Sequence, residues 1–143
     1  MRFMMLMYPS EKAEQGVLPD AKIFEQMMKY NDDLQKAGVL LSLDGLQPSS
    51  KGARITWNAD GKPTVTDGPF TEVKELIGGY WIIQVKSREE AIEWAKRVPP
   101  HDARKVELRQ IFEMSDFPAD VQEAGASPAI RSTIDRIEKQ SRA

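Results

Sequence analysis

Residues 78–98 read GGYWIIQVKSREEAIEWAKRV and predict a strand that is followed directly by a helix. The run Tyr80–Val85 carries large apolar side chains on both alternating faces, which is typical of a strand that is covered on both sides. Ser87 and Glu90 then form the S-x-x-E pattern of a capping box, which marks the beginning of a helix. This stretch therefore predicts one β-α unit.

A similar unit occurs earlier in the chain, and the two units together predict the fold class. Arg2–Tyr8 is a second strand with two apolar faces, and the helix after it has Pro19 in its first turn and Gly38 at its end. The order β-α-β, hairpin, β-α-β predicts an α+β fold, a ferredoxin-like split β-α-β sandwich with an added β-hairpin, an antiparallel sheet and both helices on one face. The predicted strands are 2–8, 39–43, 80–85 and 104–114, with turn residues 44–45 after the second, and the hairpin pairs 53–57 with 63–66 around Gly61.

The strands at residues 2–8 and 80–85 each have two apolar faces, and this pattern indicates the oligomeric state. In a two-layer sandwich the helices cover one face of the sheet and leave the other bare. A bare apolar face of several hundred Å² is unusual on a soluble monomer. The pattern therefore predicts a homodimer in which two such faces pack together. The alternative is that the hairpin and the C-terminal tail cover this face within one chain.

Composition excludes several classes of protein. The chain has 143 residues, with 41% hydrophobic and 29% charged residues, as in a globular protein. Its 20 Lys and Arg and 22 Asp and Glu give a net charge of −2, which argues against a nucleic-acid partner. No apolar run approaches the roughly 20 residues that cross a bilayer, and the opening segment is too short for a signal peptide. We therefore expect a cytoplasmic protein that does not associate with a membrane.

The absence of cysteine and the single histidine limit the chemistry further. Without cysteine there is no thiolate nucleophile, disulfide or Fe–S cluster. With His101 as the only histidine, a multi-histidine metal site within one chain is also excluded. We expect neither a metal nor a cofactor.

The C-terminal tail is predicted to lie outside the main domain. Residues 1–114 form that domain and residues 115–143 an extension, in which Pro128 begins a short helix with Ile130, Ile134 and Ile137 as a narrow stripe. An isolated helix of about 14 residues is marginal in water. The stripe is therefore expected to dock on its own domain or on a partner subunit, the alternative being a disordered tail.

Residues 67–75, DGPFTEVKE, and 78–81, GGYW, carry a resemblance to a known family. With 37–40, AGVL, and 45–48, GLQP, they resemble the YCII-related proteins, and in particular the DGPF-domain branch. The resemblance covers about residues 1–112 and implies a ferredoxin-like dimeric α+β barrel. Asp44 stands where the branch usually has a glutamate. Distant members use a histidine on the first helix, which this chain lacks, and the activity of the group is mostly unestablished.

Asp67 is the first candidate for catalysis. The Gly-Pro that follows fixes the chain, so the carboxylate is held in a defined place. A carboxylate beside Phe70 or Tyr80 would be desolvated, which suits it to act as a general base. The alternative is that Asp67 accepts hydrogen bonds from backbone amides of its own turn.

Other candidates are polar residues near this turn. Asp44 is expected to approach Asp67 across the sheet and form an acid/base pair, and His101 is a general-base candidate, a haem ligand or a surface residue. The predicted ligand-binding residues are Tyr80, Phe70, Glu72 and Lys74. The alternative for Glu72 and Lys74 is that they are solvated surface residues. Arg54 and Arg109 are candidates for holding an anion.

Three functions fit these residues. The first is a small-molecule binder near the DGPF turn that also performs metal-free acid/base catalysis. The second is a non-catalytic dimeric module that binds a metabolite or a protein partner. The third, cofactor-dependent oxidation, has little support from a chain with one histidine.

Overall fold

The computed structural model describes residues 1–100 and 105–141. Its six strands are β1 (Arg2–Met7), β2 (Leu40–Gly45), β3 (Ala53–Trp57), β4 (Pro63–Asp67), β5 (Gly79–Gln84) and β6 (Val106–Gln110). The helices are α1 (Glu11–Glu14), α2 (Ala21–Lys36), α3 (Arg88–Lys96), α4 (Ala119–Gly125) and α5 (Pro128–Ser141).

The central sheet has four antiparallel strands in the order β2-β5-β1-β6. Helix α2 connects β1 to β2, and α3 connects β5 to β6. This is the strand order of the split β-α-β arrangement. The predicted α+β fold is therefore confirmed. The strands β3 and β4 form a separate two-stranded hairpin between β2 and β5.

The core lies between one face of the sheet and the two long helices. Leu34 of α2 and Ile83 of β5 are fully buried there, and Ala91 of α3 packs into the same cluster. Both helices therefore lie on the same face, as predicted. The other buried members of the cluster are Phe3, Met5, Tyr30, Val39, Trp81 and Val85.

Local signals in the sequence set the ends of these helices. Oδ1 of Asp20 accepts from the amide of Ile23 at 2.9 Å at the beginning of α2. Oγ of Ser87 accepts from the amide of Glu90 at 3.1 Å at the beginning of α3. Gly38 has a φ of +70° just after α2, a conformation that favours glycine. Ser87 and Gly38 thus act as predicted, whereas Pro19, predicted in the first turn of α2, precedes the helix because Asp20 caps it.

Three local predictions differ from the structure. Residues 11–14, for which the sequence predicts neither a strand nor a helix, form α1, because the Ser10 hydroxyl accepts from the Ala13 amide and caps it. Residues 44–45, expected to turn the chain away, extend β2, because they still pair with β5. The last strand ends at Gln110 and not at 114. The Ile111 amide still donates to the Arg2 carbonyl at 2.9 Å, but Phe112 after it is 71% exposed.

The opposite face of the sheet and the tail are less buried than the core. Met4, Leu6 and Ile82 on that face are half-buried and do not belong to the core cluster between the sheet and helices α2 and α3. The tail helix α5 begins at Pro128 as predicted, but Ile130 and Ile137 of its stripe are 45% and 60% exposed. Ile134 between them is half-buried, and an electrostatic interaction links Glu138 of the same helix to Arg2 of β1. Docking of the stripe on its own domain or on a partner subunit stays a prediction.

Candidate functional site

The DGPF turn, residues 67–70, packs against a second turn at residues 48–52. The Gly68 amide donates to the Gly52 carbonyl at 3.0 Å, and the Phe70 amide donates to Oγ of Ser49 at 2.9 Å. A Cβ on Gly68 would lie 1.8 Å from the Ser49 carbonyl oxygen. A side chain at this position is therefore excluded unless the two turns move apart.

Helix α1 holds the second turn through Glu14. The Glu14 carboxylate accepts from the Ser49 amide at 3.0 and 3.2 Å and from the Ser49 hydroxyl as well. Ser49 thus links α1 to the DGPF turn. Sequence reasoning missed Glu14 and Ser49, because it predicts no helix over residues 11–14 and no contact between distant turns. The capping serine at position 10 is the signal that could have revealed the helix.

A groove of about 390 Å³ runs beside these turns. Apolar side chains from the ends of β2 and β5 and from the DGPF turn form much of its lining, and charged groups lie among them. A concave surface that mixes apolar walls with a few polar groups is typical of small-molecule sites. The lining residues are Glu14, Leu46, Gln47, Pro48, Ser49, Lys51, Gly52, Arg54, Phe70, Glu75, Leu76 and Ile77.

Arg54 is the most distinctive charged group of the groove. Its guanidinium lies 3.9 Å from the centre of the Phe70 ring, as in a cation–π contact. Within the described residues no carboxylate lies within ion-pair distance of it. A planar guanidinium without a carboxylate partner suits a ligand carboxylate or phosphate. Phe70, a predicted ligand-binding residue, therefore forms one wall of the groove beside a cation.

Asp67 is placed at the last position of β4, opposite Ala53. Its side chain is exposed and does not line the groove, so the expected desolvation by Phe70 is not seen in the single chain. In the part of the chain that the structure describes, no backbone amide donates to its carboxylate either. Its catalytic role stays a prediction.

Asp44 and Tyr80 lie side by side on the open face of the sheet. They are direct partners across β2 and β5, and the Tyr80 hydroxyl donates to Oδ2 of Asp44 at 3.0 Å. Leu46 follows β2 and Ile77 precedes β5, and the Leu46 amide donates to the Gly78 carbonyl at 2.9 Å. The pair therefore lies at the end of the sheet that borders the groove.

A second tyrosine–carboxylate pair occupies the other side of the same face. The Tyr8 hydroxyl donates to Oε2 of Glu107 at 2.5 Å, and Arg109 Nη1 donates to Oε1 of the same carboxylate at 3.3 Å. The hydrogen bond from Tyr8, together with Arg109, lowers the pKa of Glu107. The same hydrogen bond to Glu107 raises the pKa of Tyr8. Leu6 is the register partner of both Tyr80 and Glu107 and lies between the pairs.

Comparison with known proteins gives the family. The family model of the YCII-related domain matches residues 1–115. The chain belongs to the YCII-related domain family. This confirms the resemblance seen in the sequence, whereas the assignment to the DGPF branch stays a prediction.

Two individual proteins are similar to this YCII-related domain. An uncharacterized protein of Rhizobium meliloti (strain 1021) is 30% identical over 77 residues, which are 54% of this chain and 61% of that protein. The match thus spans less than two thirds of the length of this relative. Among solved structures, the 5-chloro-2-hydroxyhydroquinone dehydrochlorinase (TftG) of Burkholderia phenoliruptrix AC1100, in complex with 2,5-dihydroxybenzoquinone, is 13% identical. That likeness has a TM-score of 0.41 and covers 78% of this chain and 94% of the other.

The remaining candidates lie at the surface or outside the described residues. Glu72 and Lys74 are exposed and do not line the groove, although their neighbour Glu75 does. His101 lies outside the described residues of this YCII-related domain. Residues 1–100 and 105–141 contain no cluster of three or more His, Asp or Glu side chains that is suited to hold a metal ion. No helix in these ranges is long and apolar enough to cross a membrane.

Proposed function

We propose that this YCII-related domain binds a small, flat organic anion in the groove beside the DGPF turn. The observation that carries the proposal is the stacking of Arg54 on Phe70, because this cation has no carboxylate partner among the described residues. Leu46, Leu76 and Ile77 supply apolar contact area next to it. An aromatic or unsaturated carboxylate satisfies both features of the groove.

We further propose that Asp44 and Tyr80 give the site an acid/base capacity without a metal. Asp44 accepts from the Tyr80 hydroxyl, so the pair offers one group that takes a proton and one that gives a proton. Such a pair suits proton transfer on a bound carbonyl compound, as in isomerase or lyase reactions. Asp67, at the last position of β4 beside the DGPF turn, is the second carboxylate of this proposal.

Thermal melts against a panel of small aromatic and aliphatic carboxylates test the binding. A ligand at about 100 times its Kd stabilises the folded state by about 2.7 kcal/mol, which raises the Tm by several degrees. We expect such a shift for the wild type and its loss in Arg54→Gln. The matched control is Arg88→Gln, on the exposed first turn of α3, which should keep the shift. An equal shift in Arg54→Gln and wild type would contradict the proposed site.

A homodimer is the proposed assembly, built through the open face of the sheet. Met4, Leu6 and Ile82 give this face an apolar centre that lies outside the core cluster of the single chain. Light scattering should give twice the mass of one chain, and the mass of one chain would contradict the dimer.

The second candidate function is a non-catalytic dimeric module, and the same open face favours it, because a face of this kind suits association. The two functions are separated by Asp44→Asn and Asp67→Asn. If a bound compound is turned over and either variant abolishes turnover without loss of binding, the domain is an enzyme. Binding without turnover by the wild type supports the module.

A further inference from the structure

The added hairpin has an apolar face that is unpartnered in the single chain. Ile55 and Val65 are direct partners across β3 and β4, and Trp57 lies on the same face. Their side chains are 48%, 64% and 68% exposed, in that order. Arg54 lies on the opposite face, where it contacts Phe70 of its own chain. A two-stranded hairpin alone is marginally stable in water, so this apolar face needs a partner.

The beginning of the tail, residues 112–125, is a second exposed apolar surface. Phe112 and Phe117 contact each other with ring centres 5.2 Å apart, and Val121 follows on α4. These three side chains are 71%, 36% and 42% exposed. The Gln122 side chain donates to the Phe117 carbonyl at 2.7 Å, so the segment is already ordered. A preformed segment loses little conformational entropy when it docks.

The charges of the two surfaces are complementary. Residues 112–125 contain four acidic side chains and no lysine or arginine, and Asp120 and Glu123 among them are exposed. The hairpin and its base, residues 51–67, carry Lys51, Arg54 and Lys62 against two acidic residues, Asp60 and Asp67. An acidic apolar segment and a basic apolar hairpin attract each other and exclude like-charged partners.

The two surfaces start at diagonally opposite corners of the sheet. The hairpin begins beyond the Gly45 end of β2, which is level with Met7. The tail begins beyond the Gln110 end of β6, which is level with Phe3, and Glu113 fixes it there through a 3.0 Å ion pair with Arg2. These ends of the sheet are separated by about 14 Å along the strands and about 14 Å across them. The separation favours contact between chains over contact within one chain.

From these observations we propose that residues 112–125 of one chain dock on the apolar face of the hairpin of a second copy. The inference rests on the homodimer proposed above. The two-fold axis lies between the two facing sheets, perpendicular to the line that joins the hairpin corner of a sheet to its tail corner. Rotation about this axis brings each hairpin to the tail of the other copy, so the contact occurs twice. The hairpin, which presents Arg54 to the groove, is then held in place by the partner subunit. Docking of the tail therefore supports the hairpin wall of the ligand site from the face opposite Arg54.

Cysteine cross-linking tests the contact directly, because the chain has no cysteine of its own. The variants Val65→Cys and Val121→Cys are mixed as full-length chains and treated with a short bismaleimide. We expect a cross-linked pair that contains one chain of each variant. The control mixture pairs Val65→Cys with Leu18→Cys, whose position is 85% exposed and outside both surfaces, and should give no such product.

The failures of this inference and of the dimer are distinguishable. A dimer by light scattering without the cross-link overturns the docking and leaves the homodimer standing. The mass of one chain overturns both. A cross-link within one chain, in a diluted Val65→Cys/Val121→Cys double variant, also overturns the inference, because the tail then folds back on its own hairpin.

Two further variants measure what the contact contributes. Trp57→Ser should weaken self-association about 30-fold, as expected for a buried aromatic residue at an interface. Lys62→Glu should lower the cross-link yield by up to about fivefold, and Glu123→Lys in the partner should restore it. Unchanged association in Trp57→Ser would contradict the docking.

Discussion

Tyr80 and Asp44 face each other across β5 and β2, and the tyrosine hydroxyl donates to Oδ2 of the aspartate at 3.0 Å. The relationship depends on register, because β2 pairs with β5 up to Gly45 and brings the two residues directly opposite each other. Trp81, the next residue, points into the core instead. Strand β5 thus places one aromatic side chain in the core and its neighbour at the candidate site.

Tyr80→Phe should weaken ligand binding while leaving the fold intact. The variant removes one hydrogen bond to a charged group, which corresponds to a loss of about tenfold in affinity for a ligand that uses the pair. The unfolding free energy should change by less than about 1 kcal/mol, since the pair is not in the core. Titration calorimetry and urea unfolding measure the two effects. Tyr8→Phe, on the same face, is the control, and equal loss of affinity in both variants would contradict a specific role for Tyr80.

Gly68→Ala should destabilise the protein and disturb the groove. The new Cβ would lie 1.8 Å from the Ser49 carbonyl oxygen. Because this oxygen belongs to the backbone, the clash is relieved only if the two turns move apart. We expect a loss of about 1–3 kcal/mol in urea unfolding, together with a weaker ligand response. Gly45→Ala is the matched control, because no heavy atom lies within 4 Å of a Cβ there. If Gly68→Ala were as stable as Gly45→Ala, the packing of the DGPF turn described above would be wrong.

Stability should fall at alkaline pH because of Tyr30. Burial raises the pKa of this phenol above its ordinary value of 10.0, and its hydroxyl donates to the Trp94 carbonyl at 2.9 Å. Below pH 10 both the folded and the unfolded state keep the proton, so the contribution is constant. Above pH 10 the unfolded state releases it first, and the unfolding free energy should fall by about 1.4 kcal/mol per pH unit from this group.

Urea unfolding between pH 9 and pH 11 checks this expectation. Tyr30→Phe should be less stable at pH 8, through loss of the hydrogen bond, but should show a flatter decline above pH 10. Tyr80→Phe is the comparison, because Tyr80 is not part of the core. An equally steep decline in Tyr30→Phe and wild type would show that other groups cause the alkaline loss.

Much of the fold could be predicted because its signals are local. Ser87 caps the beginning of α3 and Gly38 follows the end of α2, as predicted, and Gly61 takes a φ of +74° in the predicted hairpin. The alternating apolar pattern correctly assigns Trp81 to one face of β5 and Tyr80 to the other. Where the outcome depends on pairing between strands, the prediction fails, as with the strand that was predicted to reach Met114 and ends at Gln110.

By itself, the sequence determined the order of the elements, the faces of the strands, the family and the absence of cysteine chemistry, because composition, period and caps act over a few residues. Tertiary structure alone decided that Glu14 would hold Ser49, and Ser49 the DGPF turn, across 35 and 21 residues of chain. It also decided that Arg54 would stack on Phe70. Such contacts depend on the packing of separate turns, a relationship that no local pattern of residues encodes.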